Sequence, residues 1–185
     1  NIPAQYPTVF DPATGLPSGP YHRNAAPLHL GMQVSSELEA DIGPDADVVH
    51  NIRPVPANNQ RANRDRYDDG VGVGQISFAD CQVATIPIRV FVSPQAVQAF
   101  QQQNAKAKLN VWLDSDRNGD WAGSLQCAGG QAREHIVINA DVDVVALGAG
   151  IHSLSFTSGL VSWPANLADK PAWLRVSLSE SPAPL

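Results

Sequence analysis

The stretch Leu109-Asn110-Val111-Trp112-Leu113-Asp114-Ser115-Asp116-Arg117-Asn118-Gly119-Asp120-Trp121 decides how the chain is read. In its first half Leu109, Val111 and Leu113 alternate with Asn110 and Trp112, the period of a half-buried β-strand. Its second half places oxygen-bearing side chains at Asp114, Asp116 and Asn118, then a glycine, then Asp120. A hard cation such as calcium takes six to eight oxygens at ~2.3–2.6 Å, and a tight loop supplies them from alternate residues. Gly119 falls where such a loop turns sharply, at no steric cost to glycine. The opening of an EF-hand loop is matched, but the position that needs a bidentate glutamate is Leu125. The pattern predicts a calcium loop at the end of a strand, with Asp114, Asp116, Asn118 and Asp120 as ligands and further acids supplied from elsewhere. An ion-free Asp/Asn/Gly turn is the alternative these residues leave open.

The remaining sequence points to an all-β body. With 14 glycines and 15 prolines in 185 residues, the chain suits many short strands joined by turns. A hydrophobic fraction of 43% allows a buried core in one domain. Leu28, Leu30, Met32 and Val34 alternate, as do Ile86, Ile88, Val90 and Val92. Pro87 inside the second run lacks an N–H donor, which predicts an edge strand or a bulge. Pro94 to Asn104 reads as a short helix capped by Ser93. Further strands are expected at 109–113, 134–139, 151–157 and 173–179. About seven short strands predict an antiparallel β-sandwich, Ig-like or jelly-roll-like, spanning residues 27–185. Residues 1–26, punctuated by proline, are expected to form an extended arm.

Charge narrows the partners. A net charge of −6 with three lysines argues against nucleic acid, whose phosphates demand clustered cations. No apolar run reaches membrane-spanning length, so no membrane insertion is expected. Cys81 and Cys127 are read as a disulfide formed in an oxidising compartment, with two unrelated buried thiols as the alternative. Catalytic signatures are sparse: there is no HExxH and no G-x-S-x-G. The Gly70, Gly72, Gly74 triplet lacks the strand before and helix after that phosphate binding requires. No enzymatic role is expected. Glu37, Glu39, Asp41, Asp45 and Asp47 make a loop too acidic to be buried without a cation. Trp112, Trp121, Trp163 and Trp173 are expected to pack on strand faces or the core; a sugar-stacking platform is the other reading.

Four segments in order resemble the GEVED domain family of large secreted and surface proteins of bacteria. Leu30-Gly31-Met32-Gln33-Val34 with Glu37 and Glu39 looks like its L-G-x-x-V-D-x-E segment, and Asp68-Asp69-Gly70-Val71 like its D-D-G-V. Leu109 to Trp121 is similar to its L-x-x-W-x-D-x-x-x-D-G-D-W signature, and Arg175 to Ser179 to its R-x-R-L-S strand. The resemblance covers roughly residues 19 to 179. It implies a secreted, calcium-associated β-sandwich without catalysis, with Asp68, Asp69 and Glu37 joining the acidic turn as ligands. Ser35 stands where the family usually has aspartate. The family's terminal G-E-V-E-D-Y strand does not follow Ser179, which predicts an open groove beside the last strand. The arm residues Tyr6, Val9 and Phe10 of a second copy suit that groove by strand addition, an arrangement that builds a fibre; an arm folded back onto its own domain is the alternative. The expected setting is extracellular or cell-surface. The expected partners are copies of the chain or other surface proteins. A carbohydrate-binding module that uses glycans is the alternative.

Overall fold

A computed structural model describes residues 27–32, 70–72, 75–118, 121–168 and 172–184. The expected arm (1–26) and the acidic loop of Glu37 to Asp47 lie outside them. Eight strands and two short helices make up the described part. Strand β1 (Leu28–Leu30), β2 (Gln82–Val92) and β7 (Gly150–Val161) form one antiparallel sheet in the order β1-β2-β7. Strand β3 (Ala107–Leu113), β6 (His135–Val142) and β8 (Leu174–Ser179) form a second, in the order β6-β3-β8. The two sheets pack face to face as an all-β sandwich, with no closed barrel among the described residues.

Alternation builds the core. Ile86, Ile88, Val90 and Val92 of β2 face Leu109, Val111 and Leu113 of β3, all at most 2% exposed. Leu174, Val176 and Leu178 of β8 pack against the same cluster, as their spacing predicts. The helix α1 (Pro94–Gln103) begins at the predicted cap: Ser93 Oγ accepts the Ala96 N–H at 3.1 Å. It ends at Asn104, whose left-handed backbone (φ 49°) stops the helix. A single helical turn, α2 (Val144–Leu147), follows β6 and is capped by Asp143.

Two expectations need correction. Pro87 does not place β2 at an edge, because β2 is the central strand of its sheet. The missing donor is harmless for a local reason. Backbone groups of alternate strand residues point to the same side, and Arg89 N–H donates to Gly70 O at 2.6 Å while Arg89 O accepts from Gly31 N–H. Pro87 therefore faces the β1 side, where pairing ends at the Val71–Ile88 bridge. Beyond that bridge the Gly72 carbonyl accepts from Gln75 N–H at 2.8 Å, so no ladder bond is lost. The strand expected through Val34 instead ends at Leu30, where Gly31 takes φ 76° and Met32 is 50% exposed.

Residues 124–133, to which the sequence pattern assigns no strand, form a hairpin outside both sheets: β4 (Ser124–Cys127) and β5 (Gly130–Arg133). Its tip is tied down by the Cys81–Cys127 disulfide, the pairing expected from the sequence.

Candidate metal centre

The end of β3 is clamped from both sides before the acidic turn begins. Leu113 N–H donates to Glu134 O at 2.8 Å, and Asp114 N–H donates to Trp173 O at 3.0 Å. The chain thus leaves the sheet with Asp114 held inside, 1% exposed. Asn118 N–H then folds back onto Asp114 Oδ1 (3.1 Å) and Asp116 Oδ1 (3.0 Å). Its side-chain Nδ2 donates to Asp116 Oδ2 at 3.2 Å. Arg117 reaches the turn with a left-handed backbone (φ 64°). Its guanidinium donates to the carbonyls of Asp114, Ser115 and Leu167 and lies 4.3 Å over the Trp163 ring.

The acid that the sequence left unassigned is Glu134. It sits between β5 and β6, is 1% exposed, and points into the turn. Its Oε1 accepts from Ser115 N–H (2.7 Å), Ser115 Oγ–H (3.2 Å) and Asp116 N–H (3.4 Å). Its Oε2 accepts from Gly123 N–H at 2.9 Å. Gly123 is glycine for want of room: a Cβ there would lie 2.7 Å from Glu134 Cδ.

One oxygen each from Asp114, Asp116 and Glu134 lies within 4.8 Å of the others. This acidic triad could hold a metal ion. Three carboxylates so close repel one another unless a cation or a proton intervenes. Burial pushes the Glu134 carboxyl above the usual range, opposed by the backbone N–H groups of Gly123, Ser115 and Asp116. Burial also lowers the Arg117 value, while Asp114, Asp116 and Glu134 favour its charged form.

Of the predicted ligands, the structure brings Asp114 and Asp116 together. Asn118 is beside them, but as a donor to both carboxylates. Asp120, Asp68, Asp69, Glu37 and Glu39 lie outside the described residues, as do Tyr6, Val9 and Phe10. Leu125, at the position where an EF-hand has its glutamate, is 42% exposed on β4. Glu134 was hidden because the hairpin inserts ten residues into the ligand spacing. The one available signal was Ala128-Gly129-Gly130, a turn that sends the chain back towards its starting point.

Trp112, Trp163 and Trp173 are engaged within the fold. Trp173 is 8% exposed. Trp163 carries Phe78 at 5.1 Å as well as Arg117, and Trp112 stacks on His135 at 4.4 Å with Arg175 5.8 Å from its ring. Among the described residues no helix is long and apolar enough to cross a membrane. No protein-family model, curated protein or solved structure matches the chain.

Proposed function

We propose that the chain is a non-enzymatic structural or adhesive module of the extracellular surface, its β-sandwich stabilised by calcium. The observation that carries this reading is the convergence of Asp114, Asp116 and Glu134 within 4.8 Å where the ends of β3, β6 and β8 meet. An all-oxygen, carboxylate-rich donor set suits a hard cation, and its hardness rules against thiolate-seeking metals. Among the described residues Glu134 Oε2 accepts one hydrogen bond, from Gly123 N–H, and so retains a lone pair for an ion, whereas Oε1 is occupied by three donors. The further ligands expected from the sequence are Asp120, Glu37, Glu39, Asp68 and Asp69, of which Asp120, Glu37, Asp68 and Asp69 also match the GEVED segments. The disulfide agrees with an oxidising, extracellular setting.

Self-assembly into a surface filament is the second part of the proposal. Strand β8 pairs with β3 on one side, and among the described residues no strand covers its other edge. An exposed edge of this kind accepts an extended segment from another copy. A sugar-binding role draws little support, since Trp163 and Trp173 are engaged within the fold.

Thermal melts in calcium and in EDTA test the ion. A higher melting temperature in calcium that disappears in Asp116→Asn supports it, and superimposable melts refute it. Electron microscopy of the purified chain tests assembly, which fails if only monomers are seen.

A further inference from the structure

The β4–β5 hairpin has two anchors. At its base, Gly123 N–H and the Ser115 and Asp116 amides converge on the Glu134 carboxylate, and Glu134 N–H donates to Gly123 O at 3.1 Å. At its tip, Cys127 is bonded to Cys81, whose N–H donates to Val161 O at 2.8 Å. Between the anchors little is buried. Ala132 and Cys127 face inward, whereas Ser124, Leu125, Gln126, Gln131 and Arg133 are exposed. Strand β5 lies beside β7, near Leu160, but a two-stranded ribbon is marginal in water, so the tip anchor contributes to how firmly the base is held.

We propose that the Cys81–Cys127 disulfide is a redox-sensitive staple: opening it frees the hairpin and, through Glu134, loosens the Asp114–Asn118 turn. The inference depends on the hairpin's geometry and does not require that the turn bind calcium. The reductant is a dithiol. One of its thiolates attacks Cys81 Sγ, the more accessible sulfur by residue exposure, and Cys127 leaves as a thiolate that takes up a proton. The second thiol of the reductant attacks the mixed disulfide, closing a cyclic disulfide and releasing Cys81 as a thiol. Two electrons and two protons pass from dithiol to protein.

Amide hydrogen exchange of the full chain tests the staple, with EDTA present throughout so that ion binding plays no part. The amides of Ser115, Asp116 and Gly123 are compared with that of Val111 in the core strand β3, before and after dithiothreitol. The same comparison is made on the Cys81→Ser/Cys127→Ser double variant. In the oxidised protein the three amides exchange within about tenfold of Val111. After reduction they exchange at least tenfold faster relative to it, the signature of local opening. A ratio unchanged by reduction overturns the proposal. Should the reduced chain unfold, the comparison is repeated in sodium sulfate, which favours the compact state. Release of all four amides together under those conditions overturns it as well.

Discussion

Glu134 Oε1 accepts the Ser115 N–H at 2.7 Å, joining the entrance of β6 to the turn that follows β3. The bond lies in a site where the carboxylate is 1% exposed, so its removal strands several donors away from water. Glu134→Ala leaves the Ser115 and Gly123 amides without their acceptor, at a cost of about 2–3 kcal/mol for buried groups that lose a charged partner. Denaturant unfolding in EDTA measures it. Gly123→Ala acts on the same contact from the other side, because its Cβ needs the space that Glu134 Cδ occupies.

On the proposed reading, a bound calcium ion relieves the repulsion among the three carboxylates. A ligand that binds only the folded chain adds about 3 kcal/mol at a hundredfold excess over Kd. Asp116→Asn, at an exposed member of the triad, removes one charge but keeps an oxygen for the Asn118 N–H. The expected outcome is a calcium-induced rise in melting temperature that shrinks by more than half, with the melt in EDTA little changed. Asp141→Asn is the control. Asp141 is paired with Lys106 and Lys108 at the other end of β6, and its loss leaves the calcium response intact.

A buried polar network makes stability depend on pH. Asn110, 0% exposed, has its Oδ1 bonded to His135 Nε2 and to Asn139 N–H, both at 2.8 Å. Burial depresses the His135 value below 6.5. Between the folded and unfolded values the unfolded chain binds the extra proton. The contribution is therefore complete above the unfolded value and is lost as pH falls through the folded one. Glu134 has the opposite sign: its raised value lets the folded chain take up a proton first, which relieves a penalty on acidification. Melts in EDTA from neutral to mildly acidic pH should show a steeper loss in the wild type than in His135→Gln, whose amide still donates to Asn110. Parallel curves would remove His135 from the account.

The Cys81–Cys127 bond closes a sequence separation of 46 residues. Chain-entropy arguments give about 4 kcal/mol for a loop of that size. Cys81→Ala/Cys127→Ala should be destabilised by roughly that amount in equilibrium unfolding. A loss below about 1 kcal/mol would mean that the unfolded chain is already compact near these residues.

Local chemistry was legible in the chain itself. Alternation at Leu109, Val111 and Leu113 placed β3. Ser93 before Pro94 placed the start of α1, and the Asp/Asn/Gly run marked a turn rich in oxygen donors. Each of these depends on near neighbours, whose preferences hold before anything packs. Tertiary structure decided what depends on distant neighbours. Pro87 is tolerated in a central strand because pairing on one side stops at Ile88. Glu134 joins Asp114 because a disulfide-tethered hairpin carries it back across the intervening residues. No periodicity encodes either fact, since both follow from which strand ends the packed core brings side by side.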